Sequence, residues 1–117
     1  MDKKQYKHNL EERLIDFSVM VMGYQTIRLE LIIGGQLLRS GTSPALQYGE
    51  ALGAESKRDF IHKLGVLLKE LRESLNCMKI LSRINYIGVN DPTLKECDEL
   101  ISIFVKSIET AKRNQSL

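Results

Sequence analysis

One stretch of the chain decides the fold: residues 56–83 read SKRDFIHKLGVLLKELRESLNCMKILSR. Its apolar side chains recur at spacings of three and four, the period of one buried face of an α-helix. This heptad-like seam consists of Phe60, Leu64, Leu67, Leu71, Leu75 and Met78. Ser56, with Asp59 three residues later, is typical of a helix N-cap. The sequence therefore predicts a long amphipathic helix over residues 56–84.

Two further helices are predicted before this one. Asn9, followed by Glu12, is typical of a helix start and predicts a first helix at residues 9–30. Its apolar face contains Leu10, Leu14, Phe17, Val21 and Tyr24. A second helix is predicted at residues 31–53, and Gly53 is expected to close it with a positive φ. Its apolar positions are Leu37, Leu38, Ala45, Tyr48 and Leu52.

Gly41 and Pro44 lie inside the second predicted helix. A proline in a helix interior removes one backbone hydrogen bond and clashes with the preceding turn. We therefore expect this helix to be kinked near Gly41–Pro44 or to break there into two pieces.

A fourth helix is predicted at residues 91–113, after a turn that contains Gly88 and Asn90. Asp91 suits the N-cap, and Pro92 suits the first helical position, where its missing N–H costs nothing. The apolar face of this helix contains Leu94, Cys97, Ile101, Phe104, Ile108 and Ala111. Four amphipathic helices joined by short turns predict an all-α, antiparallel up-down four-helix bundle. Residues 1–117 form a single domain in this prediction, with short flexible ends at about 1–8 and 114–117.

Composition narrows the classes of protein that fit. The chain has 117 residues, 43% of them hydrophobic, which is enough apolar material for one core. No segment is predicted to cross a membrane, and the two widely spaced thiols, Cys77 and Cys97, suggest neither a disulfide framework nor a zinc site. These features predict a cytoplasmic protein.

No catalytic, metal or cofactor site is predicted. Asp59 and His62 have the i, i+3 spacing of a metal-binding pair in some helical bundles, but no second copy of the pair exists. His8 lies in a lysine-rich lead and is expected to be plain surface. Neither histidine has a recognisable nucleophile beside it, so the chain is predicted not to be an enzyme.

Charge is distributed unevenly along the chain. Residues 10–55 carry three Lys or Arg against six Asp or Glu, whereas residues 56–83 carry seven against three. On the third predicted helix, one face about 100° wide carries a row of polar side chains. They are Arg58, His62, Lys69, Arg72, Asn76, Lys79 and Arg83. The candidate nucleic-acid-binding residues are Arg58, Lys69, Arg72, Lys79 and Arg83, with Arg39 as a lesser candidate. The ordinary alternative is a solvated face that keeps a bundle soluble.

The sequence also resembles a known family over residues 36–74. The segments that carry the resemblance are QLLRSGTS at 36–43, EA at 50–51, SKRDFIHKL at 56–64 and LKELRE at 68–73. They resemble the bacterial four-helix-bundle proteins encoded by intervening sequences of 23S ribosomal RNA genes, most closely the form found in Bacteroidetes. The resemblance implies an antiparallel four-helix bundle, a ring-like homo-oligomer and a positively charged surface for nucleic acid.

Two hypotheses of function follow. In the first, the protein binds structured RNA or DNA through the basic surface of its third helix. In the second, it is a homo-oligomeric scaffold for a protein partner, and its basic residues only solvate it. A homo-oligomer is expected in both, because some apolar residues lie off the main seams. These residues are Val19, Met22, Ile33, Val66 and Val105.

Overall fold

The structure is a computed structural model that describes residues 3–23 and 32–115. It contains four helices: α1 (Lys3–Met22), α2 (Ile32–Leu52), α3 (Lys57–Arg83) and α4 (Pro92–Gln115). The described residues contain no strand, and the predicted all-α class is confirmed. Each helix packs against the next, and α1 also packs against α4. The four therefore form an up-down bundle in which α1 and α3 lie at diagonally opposite corners.

The longest helix is α3, whose 27 residues extend for about 40 Å. Ser56 is its N-cap, as predicted, and accepts a hydrogen bond from the backbone N–H of Asp59 at 3.0 Å. The buried seam differs from the prediction, because Phe60 and Leu75 are only half-buried. Ser74, Cys77 and Leu81 are buried in addition. Apart from Cys77, which lies beside Met78, the buried spacing alternates between three and four residues, which keeps the seam facing its neighbours from Leu64 to Leu81. Its members are Leu64, Leu67, Leu71, Ser74, Met78 and Leu81.

Asn85 ends α3 in the left-handed conformation, with φ 66°. The Tyr86 N–H donates to the Leu81 carbonyl at 2.9 Å, and the Asn85 N–H donates to the Ser82 carbonyl at 3.1 Å. This pair of bonds is the Schellman arrangement, in which asparagine takes the place that glycine usually occupies. At the end of α2 the predicted positive φ of Gly53 is wrong, since no described glycine has one.

The start of α1 also corrects the prediction. The helix begins at Lys3, so Asn9 lies inside it rather than at its N-cap. Lysine and glutamine are good helix formers, and residues 3–8 contain several of them, so the helix extends past the local cap signal. The last described residue of α1 is Met22. The prediction that this helix reaches residue 30, with Tyr24 in the core, falls outside the described residues.

Pro44 lies in the interior of α2, which is continuous from Ile32 to Leu52. The predicted break into two pieces is therefore wrong, while a kink of the helix axis stays a prediction. Gly41 serves the packing of α2 against α1, because a Cβ at this position would lie 2.8 Å from Cγ2 of Val21. The Ser18 hydroxyl also donates to the Gly41 carbonyl at 3.1 Å across this contact.

Within the described residues the core is largely aliphatic and includes an aromatic pair and a pair of serines. The rings of Tyr48 and Phe104 meet edge to face, with their centroids 5.6 Å apart. Between α2 and α3, the fully buried Ser74 hydroxyl donates to the Ser40 hydroxyl at 2.8 Å.

Asp91 caps α4 as predicted, since its carboxylate accepts from the Thr93 N–H at 2.8 Å. Within the described ranges, no helix has both the length and the apolar character needed to cross a bilayer.

Two glycines inside helices should respond in opposite ways to the same substitution. Gly41→Ala should lower the free energy of unfolding by about 1–3 kcal/mol, because Val21 must shift to admit the methyl group. Gly65→Ala should raise it by about 0.5–1 kcal/mol, since a Cβ there meets open space and alanine favours the helix. Urea unfolding followed by circular dichroism measures both. Equal stability of the two variants would contradict the close approach of α1 and α2.

Candidate nucleic-acid interface

The outward face of α3 is set by its buried seam. Once the seam faces α2 and α4, residues about half a turn away must face solvent. The polar positions predicted on this face are all exposed, namely Arg58, His62, Lys69, Arg72, Asn76, Lys79 and Arg83. From Arg58 to Arg83 the helix rises about 37 Å. We call the five cations of this face, Arg58, Lys69, Arg72, Lys79 and Arg83, the basic stripe.

None of the five cations of the basic stripe has an ion-pair partner among the described residues. Other cations of the bundle are engaged. Arg13 of α1 donates to Glu96 of α4, with its Nε 2.9 Å from the carboxylate oxygen. Lys63 of α3 donates to the Asp59 carboxylate at 2.8 Å. The positive charges of the basic stripe are therefore available to an anionic ligand.

Arg39 is placed differently from the other candidate residues. Its guanidinium reaches from α2 to two carboxylates of α3, with Nη1 3.0 Å from Oε2 of Glu70 and Nη2 bonded to Glu73. The hydrogen bond with Glu70, together with the charges of Glu70 and Glu73, raises the pKa of Arg39. Arg39 therefore neutralises acidic residues at the edge of the basic stripe, although its side chain is still 56% exposed.

The Asp59–His62 pair is part of the start of α3. Both Asp59 oxygens accept from Lys63, and one also accepts from the Glu55 N–H at 3.3 Å. The hydrogen bonds from Lys63 hold the pKa of the Asp59 carboxyl below its usual value. His62 is exposed beside this cap. In the part of the chain that the structure describes, no three His, Cys, Asp or Glu side chains come together as metal ligands.

Both cysteines are free thiols in the core. Cys97 of α4 donates to the Leu71 carbonyl of α3 at 3.3 Å. Burial, with the nearby charges of Asp98 and Glu96, raises the pKa of the Cys97 thiol to about 12. Burial also raises the pKa of Cys77. Because the thiolate is the reactive form, both residues act here as small apolar side chains.

The sequence did not reveal how the charges at the edge of the basic stripe are arranged. Arg39 is 31 residues from Glu70 and 34 from Glu73, so no local spacing links them. The sequence also gave no indication of the groove that Lys79 and Arg83 share with Lys95 of α4. An i, i+4 rule finds pairs within one helix, such as Asp59 and Lys63, and it misses pairs between helices.

No protein-family model matches the chain, and no curated protein matches it either. Among solved structures, the chain is similar to a protein with unknown function from the S23 ribosomal protein family of Bacteroides thetaiotaomicron. The two sequences are 28% identical, and the similarity covers 85% of this chain and 97% of that one. The TM-score is 0.79, so the two chains share one helical architecture.

Proposed function

We propose that this protein is a non-enzymatic nucleic-acid-binding protein that engages the phosphates of structured RNA or DNA along the basic stripe. The observation that carries the proposal is the set of five exposed cations on one face of α3, none paired with an acid in the described residues. Four of them lie from Lys69 to Arg83, a rise of about 21 Å, which is roughly the axial rise of six base pairs of a duplex. Such contacts position a backbone and read no sequence.

Two further observations support this proposal. Arg39 neutralises part of the negative charge of Glu70 and Glu73, which would otherwise repel phosphates beside the basic stripe. The similar protein of known structure is assigned to a family of ribosomal proteins, which favours RNA as the ligand. It also agrees with the resemblance to proteins encoded within 23S ribosomal RNA genes, and we place the chain in that family as part of the proposal.

A homo-oligomer belongs to the same proposal. Ile15, Val19 and Met22 follow one another at helical spacing on α1 and are all exposed, Val19 to 61%. Of the other residues expected at a subunit contact, Ile33, Val66 and Val105 are half-buried. Because α1 lies diagonally opposite α3, subunits that meet through α1 would leave the basic stripe uncovered. Several stripes on one ring would bind a long polyanion at high effective concentration.

The second candidate function is a scaffold for a protein partner, and the same exposed apolar residues of α1 favour it. The two functions differ in their response to salt. Phosphate binding weakens steeply as salt rises because counterions are released, whereas docking on an apolar surface does not.

The basic stripe should give binding with a steep salt dependence. With four to five phosphate contacts, a plot of log affinity against log salt should have a slope of about −4. Replacement of Lys69, Arg72 and Lys79 with Glu should remove most of the binding to duplex RNA and duplex DNA, measured by fluorescence anisotropy. Replacement of Lys57, Lys106 and Arg113 with Glu is the matched control, with the same change in net charge on exposed cations outside the stripe. Equal binding by both triple variants, or no binding by the parent protein, would exclude the proposal.

Arg39 should assist binding through Glu70 and Glu73 rather than through its own contact with phosphate. Arg39→Ala should weaken the binding of duplex RNA, because it leaves two unpaired carboxylates beside the basic stripe. Adding Glu70→Gln and Glu73→Gln should restore the affinity to the parent level or above it. If Arg39→Ala weakens binding and the added substitutions fail to restore it, Arg39 itself contacts the ligand.

The parent protein should be larger than a monomer at tens of micromolar concentration. Light scattering coupled to size exclusion measures the mass, and Val19→Glu with Met22→Glu should lower it because a charge would then lie in the subunit contact. Leu46→Glu, at an exposed position of α2, is the control and should leave the mass unchanged. A monomeric parent protein would contradict the oligomer.

A further inference from the structure

A groove lies between α3 and α4 at the end of the bundle where the two helices are joined. Its volume is about 710 Å³, within the range of about 300–1,000 Å³ found for small-molecule sites. Leu75 of α3, Leu94 of α4 and Val89 of the connecting loop supply its apolar lining, and Val89 is 78% exposed. Leu75 is half-buried rather than fully buried, so part of its side chain is free to meet a ligand.

Charged side chains border this apolar surface. Lys79 and Arg83 of α3 and Lys95 of α4 line the groove. Two acidic residues, Asp91 and Asp98, line it as well, so cations outnumber acids by three to two. Lys79 and Arg83 are also the last two cations of the basic stripe, so the stripe leads directly into the groove. A backbone that follows α3 would therefore bring its next phosphates, and the base attached to them, to the mouth of the groove.

The groove is also lined by polar groups that could bind a base rather than a phosphate. Asn90 and Asp98 also line it, and their side-chain oxygens can accept hydrogen bonds from the amino groups of adenine, cytosine or guanine. The flat faces of a base can pack against aliphatic side chains such as those of Leu75 and Leu94. In a duplex the faces of the internal bases are covered by stacking and their pairing edges are occupied, so a groove of this kind meets mainly phosphates and sugars. An unpaired nucleotide offers all three chemistries together.

We propose that the groove receives an unpaired nucleotide of the nucleic acid that lies along α3. The inference rests on the proposed function and narrows its ligand class to RNA or DNA with a loop, a bulge or a single-stranded end. The phosphate of that nucleotide meets Lys79, Arg83 and Lys95, and its base packs on the aliphatic side chains.

The experiment compares a blunt duplex with the same duplex carrying one unpaired adenosine, as RNA and as DNA, by fluorescence anisotropy. The parent protein should bind the bulged duplex at least about fivefold more tightly, the gain expected from removing about 40 Å² of apolar surface from water at about 25 cal/mol per Å². Val89→Asp places a carboxylate at the groove and should abolish this preference. Leu46→Asp is the matched control, an exposed apolar position outside the groove, and should keep it. The readout is the ratio of the two affinities, because an added charge weakens both complexes together.

The outcomes separate this inference from the function on which it rests. Equal affinity of the parent protein for both duplexes would overturn the inference about the groove, while the basic stripe would remain a phosphate-binding surface. A preference that survives Val89→Asp would also overturn it. If the parent protein binds neither duplex, the proposed function fails, and the groove inference fails with it. Where the bulged duplex is preferred, comparison of the RNA and DNA series shows which sugar the bound nucleotide carries.

Discussion

The rest of the structure depends on the burial of one seam of α3. Its buried residues alternate at spacings of three and four from Leu64 to Leu81, and α2 and α4 both pack against this helix. Burying a leucine side chain removes it from water at a gain of about 1.5–3 kcal/mol, so rotating the seam away from the core would be costly. That constraint also fixes the opposite face, which carries the basic stripe. The direction of the cations is therefore a consequence of core packing.

Polar contacts at one level of the α2–α3 interface help to fix how far along α3 the helix α2 is placed, in addition to the apolar burial. The Ser40–Ser74 hydrogen bond lies inside the core, and Arg39 bonds to Glu70 and Glu73 at its edge. A shift of one turn would separate the buried Ser40 hydroxyl from Ser74, which costs more than sliding one apolar surface over another. Ser74 itself also bonds to the Glu70 carbonyl of its own helix at 3.0 Å. An exposed ion pair contributes little stability by itself, so the larger effect of Arg39 is on charge. Adjacent residues of α2 thus fix its register on α3 and moderate the charge beside the basic stripe.

The sequence predicts those features that have local causes. The ends of α3 lie within one residue of the prediction, and the caps Ser56 and Asp91 are confirmed, because each depends on residues a few positions apart. The exposure of the cations follows from helix geometry once the seam is known. Ser74 was missed because hydrophobicity favours Leu75, whereas its burial depends on Ser40 of another helix. The groove was missed because it requires α4 beside α3 and the turn that Asn85 makes between them.

Gly65 is the one position of the α3 outward face that core packing does not explain. By helical geometry it lies among the cations of the basic stripe, between His62 and Lys69, and it is exposed. A glycine inside a helix costs roughly 0.5–1 kcal/mol relative to alanine, and no neighbour requires its small size, since a Cβ would meet nothing within 4 Å. Gly41 has the same cost and a clear packing reason in Val21. Gly49 of α2 is also an exposed helical glycine whose Cβ would meet nothing within 4 Å, so the lack of a packing partner does not single out α3, and the buried seam remains what fixes its outward face.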